Sequence, residues 1–452
     1  MKHFKETFGR IYRMFNKKNH GRGLSSFSSQ KKPLFYGWYI VLVGLVVLTL
    51  NALAVFRGIG VLVVVLQKNF AWSRTQISIG NVLSRAEGAA LGPIEGFLID
   101  KIGAKRMLLI GMTIMGLGFF AFSRIQNVWQ FYIVFLIITL GAGLGGWLAI
   151  ASLLNNWFVK NRTMAMAIAM SGIHLAGIFI PLYAYAIDWE FRFTLVAMGV
   201  IIILIGIPSY LLTRNTPEEI GLLPDGEQSN DDQNVEISSQ NSPKEFDYTL
   251  KQALRSSSFW VITAAHVSSN MALAAMGVHL TPRITDMMIA LGREESVALY
   301  WASFVESGYA IVALPAIFIS GWLGDRMSKK NLLMIFMFLQ GISTLILSYA
   351  NSLFMAFVFA FIYGIAFGGR VPLMSAIRGE YFGRKAFASI TGWSMLPNGI
   401  LMAISPVLTA WWYDSVGSYF LPFFVLSILT LIGVIIMFFA NPPDRSIPQE
   451  TG

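Results

Sequence analysis

One short charged turn occurs twice in this chain. The segment Gly-Phe-Leu-Ile-Asp-Lys-Ile-Gly-Ala-Lys-Arg spans 96–106, and Gly-Trp-Leu-Gly-Asp-Arg-Met-Ser-Lys-Lys spans 321–330, with their aspartates 225 positions apart. In each copy an apolar stretch ends in an acidic residue, and a basic cluster begins the next apolar stretch. Turns of this kind suit a water-facing membrane surface. The sequence therefore predicts an internally duplicated membrane bundle.

The composition agrees with a membrane protein. With 55% hydrophobic and only 13% charged residues over 452 positions, the chain has too little polar surface to cover a soluble protein. A net charge of +10 would also suit nucleic acid, but the basic residues fall in a leader and in short loops, so we expect no nucleic-acid partner. The absence of cysteine excludes disulfides and thiolate metal sites. We expect no cofactor.

Twelve apolar spans are long enough to cross a membrane, which takes about 20 residues. Six precede and six follow a polar stretch at 214–256, whose composition predicts a flexible linker. The predicted fold class is an all-α membrane protein of two six-helix bundles, 35–213 and 257–440, related by a parallel repeat, with a tail at 441–452. The predicted spans are 35–66, 75–99, 106–123, 127–154, 163–187, 191–213, 257–290, 296–323, 331–350, 352–378, 385–413 and 417–440.

Loop charges predict the orientation. The loops after even-numbered spans hold most of the basic residues, which favour the cytoplasmic side. We therefore expect both termini and the linker to be cytoplasmic, in a multi-pass protein of a bacterial inner membrane. These basic residues are Lys101, Lys105, Arg106, Lys160, Arg162, Arg326, Lys329, Lys330, Arg384 and Lys385.

The leader 1–34 lacks the apolar core of a cleavable signal. Its apolar residues fall on one helical face among lysines and arginines, a pattern typical of an interfacial helix on anionic lipid. A disordered basic tail that only enforces orientation is the alternative. The apolar positions are Phe4, Phe8, Ile11, Tyr12 and Phe15.

The duplication extends beyond the turn. At an offset of 224, Gly145-Gly146 and the segment 155–162 align with Gly369-Arg370 and 379–385. A parallel six-helix repeat with an acidic-basic turn after the second helix of each half resembles the major facilitator superfamily over about 400 residues. The resemblance implies that Asp100 with Arg106, and Asp325 with Lys329, cap neighbouring helices and gate the cytoplasmic side. Topological anchoring alone is the alternative.

Local signatures narrow the resemblance. Phe35-Tyr36-Gly37-Trp38, then Arg57 to Val61, and Trp72-Ser73-Arg74 look like span 1 of the monocarboxylate transporter and oxalate/formate antiporter branch. Trp157-Phe158 with Arg162, and the segment 217–226, are similar to that branch as well. One departure concerns span 8, where the branch usually has an arginine and this chain offers Glu306. That departure leaves room for a zwitterionic or bulkier organic acid.

Arginines inside the spans are candidates for anion binding, because charge within a membrane is costly and usually functional. In the branch, a basic residue at the position of Arg57 contacts the substrate carboxylate, and guanidinium can bind a carboxylate through two donors. Snorkelling to the outer interface is the alternative for Arg57. Arg370 lies on span 10, and spans 1, 4, 7 and 10 line the cavity in the superfamily. Arg370 could instead pair with Glu380 or a carbonyl.

Three further groups are candidates for proton coupling. Glu87 and Glu306 are carboxylates within spans, where burial disfavours the charged form. Glu306 could instead form a structural ion pair with Arg57. His174 is titratable near neutral pH but could be a packing residue. Its repeat mate Asn398, also near the midplane, is a candidate for substrate binding.

The function that these features predict is secondary active transport of a small organic anion, coupled to protons, by alternating access. Anion exchange of the oxalate/formate type and broad export of apolar compounds are the alternatives. An enzyme is not expected, because nucleotide loops, metal-spaced clusters and the Gly-x-Ser-x-Gly elbow are missing from the sequence.

Overall fold

The computed structural model describes residues 35–57, 59–72, 74–226 and 247–443, so the leader and most of the 214–256 linker lie outside the described residues. The described chain is helical, and its long helices form two six-helix bundles joined by the linker, which confirms the predicted fold class. Helix α1 comprises Gly37–Asn51, a π-helical segment Ala52–Arg57, and Ile59–Phe70. The other helices are α2 Arg74–Ile102, α3 Ala104–Phe122, α4 Val128–Gly145 with Trp147–Trp157, α5 Arg162–Trp189, α6 Phe191–Leu212, α7 Ser257–Ala290, α8 Glu295–Gly324, α9 Lys329–Tyr349, α10 Leu353–Phe382, α11 Phe387–Val416 and α12 Phe420–Phe438.

Within the described residues, eleven helices are long and apolar enough to cross a membrane, and α2 is the long helix that does not qualify. Its 29 residues include Arg85, Glu87 and Glu95 in the middle, where a lipid-facing helix would be apolar. Large apolar side chains elsewhere point outward from the bundles, including Leu204 and Phe354, as lipid contact requires. The charged side chains of α2 must therefore face protein or water rather than lipid.

The repeat mates differ at one point of the backbone. Helix α4 is interrupted at Gly146, whose backbone is not helical, whereas α10 runs unbroken through the equivalent Arg370. At this pair of equivalent positions, the first half thus has a break in the helix and the second half has a buried cation. A second irregularity, the π-helical segment Ala52–Arg57, lies in α1, and such segments often occur at functional sites.

The two halves meet along two helix pairs, α2 with α11 and α5 with α8. Because α8 repeats α2 and α11 repeats α5, these two seams are equivalent under the duplication. On the α2–α11 seam the backbones touch closely, since a methyl group added to Gly96 would overlap the carbonyl of Ala388. The seams close the end of the molecule that carries the α2–α3 and α8–α9 turns, which we call the basic side.

Each turn aspartate caps a helix of the opposite half. Asp100 accepts hydrogen bonds from the amides of Ala388 at 3.2 Å and Ser389 at 2.7 Å, at the first turn of α11. A carboxylate there compensates the positive end of the helix dipole and satisfies amides that have no partner within the helix. The caps thus join the halves across the α2–α11 seam.

Asp325 makes the equivalent contact on the other seam. It accepts hydrogen bonds from the amides of Thr163 at 2.7 Å and Met164 at 3.0 Å, at the first turn of α5. Burial raises the pKa of the Asp325 carboxyl, whereas the two amides and nearby Lys329 oppose that rise. Asp100 and Asp325 therefore cap helices of the opposite half with matching geometry. Their role in gating stays a prediction.

The basic partners expected for these aspartates have other contacts. Lys329 bonds to the carboxylate of Glu380 on α10. Arg106 is exposed to solvent on α3. Ser328, which replaces Gly103 in the second copy, begins α9 by accepting a hydrogen bond from the amide of Asn331 at 3.4 Å.

Both ends of the linker bind repeat-equivalent loops. Asp225 accepts hydrogen bonds from the amides of Val159 and Lys160, both at 2.8 Å, just before α5. Asp247 accepts hydrogen bonds from the amides of Arg384 at 2.6 Å and Lys385 at 3.0 Å, just before α11. The first turns of α5 and α11 are thus each held by one linker carboxylate and one turn carboxylate.

The helix α9 provides a test of topology. Ser328 and Asn351 are exposed at its opposite ends, and its 21 residues span about 30 Å. In the cysteine-free chain, Ser328→Cys should react with an impermeant maleimide only from the cytoplasmic side, and Asn351→Cys only from the outer side. Labelling of both from one side would contradict the spanning arrangement, and reversed sides would contradict the orientation.

The Asp100 cap provides a second test. Ser389 is buried beside Asp100, so Ser389→Cys should be shielded from labelling in purified protein. Adding Asp100→Asn removes a charge-dipole contact of about 1 kcal/mol, which should raise the labelling rate roughly fivefold. The matched control is Glu294→Gln, an exposed carboxylate outside the seam, which should leave the rate unchanged. An unchanged rate with Asp100→Asn would reduce the cap to a surface contact.

Candidate functional site

A cavity of about 340 Å³ lies where the first half meets α11. Its volume is in the range of small-molecule sites, and most of its wall is apolar. Helices α1 and α4 line it, as the resemblance implied. The other main lining helices are α2 and α11, and α7 and α10 contribute none of the described lining residues. The polar lining residues are Asn51, Ser84, Arg85, Glu87, Glu95, Thr139 and Asn398.

Helix α2 supplies the charged groups of the cavity. Arg85, Glu87 and Glu95 all line the cavity from this helix. The cavity therefore explains why α2 is too polar to qualify as a lipid-facing span. Water or a polar solute in this space would solvate charges that lipid cannot.

Glu87, predicted as a proton-coupling residue, faces the cavity from a half-buried position. The hydroxyl of Thr139 on α4 donates a hydrogen bond to its carboxylate. This bond joins α2 to α4 at the wall of the cavity. Glu87 is thus the predicted proton-coupling residue that the structure brings into the cavity.

Glu95 also lines the cavity, and the sequence reasoning missed it. Its side chain is only 6% exposed, and its carboxylate lies against Gly143 of α4, where any larger residue would overlap it. Among the residues described, none donates a hydrogen bond to it. Its spacing was the available signal, since a residue eight positions after Glu87 returns to nearly the same helix face.

A hydrogen-bonded chain connects Arg370 to the cavity. Arg370 is 2% exposed, and its Nη2 donates to the Oδ1 of Asn270 on α7 at 2.7 Å. The Nδ2 of Asn270 then donates to the Oδ1 of Asn398 at 2.9 Å, and Asn398 lines the cavity. The structure thus brings two predicted substrate-binding residues together through an asparagine that the sequence did not single out.

The charge of Arg370 has no acidic partner in the described chain. Its Nε lacks a hydrogen-bond acceptor there, and the alternative partner Glu380 instead bonds Lys329. Eight residues further along α10, Arg378 is also buried, and its Nη2 lies 2.9 Å from the Nδ1 of His266. Two guanidinium groups therefore lie on one face of α10 without a carboxylate of the described residues beside them.

The remaining candidates lie elsewhere. The backbone of Arg57 ends the π-helical segment of α1, but its side chain lies outside the described part, so its contact with substrate or with Glu306 stays a prediction. Glu306 is exposed and accepts a hydrogen bond from Thr281 of α7 at 2.9 Å. His174 packs edge-on against Phe367 of α10, with ring centroids 6.2 Å apart. Neither Glu306 nor His174 lines the described cavity.

Comparisons with known proteins agree with this architecture. Monocarboxylate transporter 12 of Rattus norvegicus is 24% identical, covering 91% of this chain and 86% of the relative. The gentisate transporter of Corynebacterium glutamicum is 22% identical, covering 81% and 80%. The crystal structure of the Escherichia coli fucose:proton symporter matches the fold with a TM-score of 0.67 at 15% identity, covering 90% of this chain and 100% of that one.

The family model described as Major Facilitator Superfamily matches residues 42–290 and 284–452. Together these two matches cover both six-helix bundles. They agree with the duplication seen in the turn motifs and with the equivalent seams between the halves. The chain therefore belongs to the Major Facilitator Superfamily, and it is a multi-pass membrane transporter.

Proposed function

We propose that the protein transports a small organic carboxylate together with protons, as a secondary active transporter. The cargo would bind in the cavity between the first half and α11. The basic side would face the cytoplasm of a bacterial cell, as the loop charges predict. Access would alternate as the α2–α11 and α5–α8 seams open and close.

The observation that carries the anion proposal is the buried Arg370, which has no acidic partner among the described residues. A guanidinium in a low-dielectric interior is costly unless a negative charge compensates it. Asn270 and Asn398 connect Arg370 to the cavity wall, so an anionic cargo at Asn398 would lie within reach of this charge through one polar chain. We propose Arg57 as a second contact from α1. The names of the monocarboxylate and gentisate carriers support the same substrate class.

Protons enter the proposal through the cavity carboxylates. Glu87 and Glu95 share the cavity with one arginine, Arg85. An anion added to this cavity would meet two like charges unless one carboxylate were protonated. We propose coupling through these two carboxylates rather than through Glu306 or His174, because neither of the latter lines the cavity.

Export of apolar compounds is the second candidate. It is favoured by the wall of the cavity, which is mostly apolar and includes Leu48, Val55, Ile173, Met395 and Met402. An apolar cargo would leave the charge of Arg370 uncompensated. Export of apolar compounds therefore explains the apolar cavity wall but not the buried Arg370.

Uptake into proteoliposomes tests the proposal. Labelled lactate, pyruvate, benzoate, gentisate and oxalate are offered with and without an inward proton gradient, with empty liposomes as the control. At least one carboxylate should enter faster when the outside is acidic. Uptake of none of them, alongside movement of an apolar dye, would replace the proposal with the exporter.

Substitutions at Arg370 test the anion contact. Arg370→Ala removes the guanidinium that holds Asn270, so the affinity for the transported carboxylate should fall at least tenfold. Arg370→Lys keeps the charge without the planar donors, so affinity should fall less. Binding is measured on purified protein with the carboxylate found in uptake.

The matched control for Arg370 is the exposed Arg293→Ala between α7 and α8, which should bind as the wild type does. Thermal unfolding of each variant separates lost binding from lost folding. Wild-type affinity in folded Arg370→Ala would contradict the assigned contact.

A further inference from the structure

We propose that Glu95 is the residue that carries the transported proton and releases it on the basic side. This inference rests on the proposed proton-coupled transport and names the group that couples it. Glu87, whose carboxylate is hydrogen-bonded to Thr139, is then not the proton carrier. Three observations support this division: the partners of each carboxylate, their positions along α2, and the seam beside Glu95.

The two carboxylates differ in their partners. The hydroxyl of Thr139 satisfies one oxygen of Glu87. Glu95 is more deeply buried, yet no described residue donates a hydrogen bond to it. An ionised carboxylate in that position would have no hydrogen-bond donor from the described residues, which is costly. Protonation of Glu95 removes this unpaired charge and therefore gives Glu95 the larger gain from binding a proton.

Among the described residues that line the cavity, we find no cation that would neutralise an ionised Glu95 in place of a proton. The charged groups that line the same cavity are Arg85 and Glu87, both on α2 itself. The polar groups that face the cavity from α1, α4 and α11 are the uncharged Asn51, Thr139 and Asn398. Of the two charged groups, Glu87 is a like charge, which adds to the cost of ionising Glu95.

The position along α2 gives a direction to the proton's path. Glu95 lies eight residues, or about 12 Å, closer than Glu87 to the basic side. The next residue, Gly96, is in backbone contact with Ala388 of α11, and Gly92 is in similar contact with Gly392. Glu95 therefore lies between two backbone contacts of the α2–α11 seam, and its carboxylate lies against Gly143 of α4.

The resulting cycle moves one proton between two waters. With the seam closed, an O–H bond of a hydronium ion in the cavity breaks to leave water, and its proton forms an O–H bond with the Glu95 carboxylate. The neutral residue can then be carried through the change in which the seam parts. Water on the basic side next reaches Glu95, the O–H bond breaks, and the proton leaves as hydronium. The carboxylate is restored before the seam closes again.

Glu95→Gln tests this assignment in proteoliposomes, using whichever labelled carboxylate the wild type transports. The amide has the same shape but cannot carry a proton. We expect exchange of labelled for unlabelled carboxylate at equal pH to persist within about twofold. Accumulation driven by a one-unit pH difference should fall from about tenfold to about onefold. Glu190→Gln, an exposed carboxylate between α5 and α6, should accumulate as the wild type does.

Other results would overturn the assignment. Accumulation by Glu95→Gln at the wild-type level would show that the proton binds elsewhere. Loss of exchange together with accumulation, in a variant whose elution and thermal unfolding match the wild type, would make Glu95 a cargo-binding residue instead. Glu95→Asp, which keeps a titratable group, should restore part of the accumulation. Absence of any carboxylate uptake by the wild type is a separate result, which refutes the proposed function itself.

Discussion

The closed basic side depends on one interaction that occurs twice: a carboxylate from one half lies on the first turn of a helix in the other. Asp100 binds the amides that begin α11, and Asp325 binds those that begin α5. Each contact is worth about 1 kcal/mol, which under the proposed alternating access would be small enough to break in each cycle and large enough to favour one state. Asp225 and Asp247 bind the preceding loops, so the linker holds both helix starts from outside the seam.

Helix α2 connects this closure to the cavity. It carries the cavity charges, its last turn provides Asp100, and its backbone touches α11 between them. A change in the charge of Glu95 therefore acts within two turns of the cap at Asp100. The proposed protonation of Glu95 would bias the seam through this proximity, because both groups lie on one helix that forms half of that seam.

Repetition in the sequence made the fold and the two caps predictable. Asp100 and Asp325 occupy equivalent positions 225 residues apart. The repeated turn can be recognised from the sequence, without knowing where any side chain points. The Arg370, Asn270 and Asn398 chain could not be found in that way, because it depends on how three helices rotate relative to one another. Glu95 was hidden for a different reason: a carboxylate near the end of a span looks like part of the polar turn until a cavity is seen beside it. Arg57 stays a prediction because its side chain lies outside the described residues.

We propose that the halves part on the basic side while cargo and proton are bound between them. The most direct test is the distance between spin labels at Lys101→Cys of the first half and Met327→Cys of the second, both exposed on the basic side of the cysteine-free chain. At acidic pH with the transported carboxylate, we expect a second, longer distance population, which Asp100→Asn should enlarge even without cargo. A single distance that is unchanged by pH, carboxylate and Asp100→Asn would contradict this proposal.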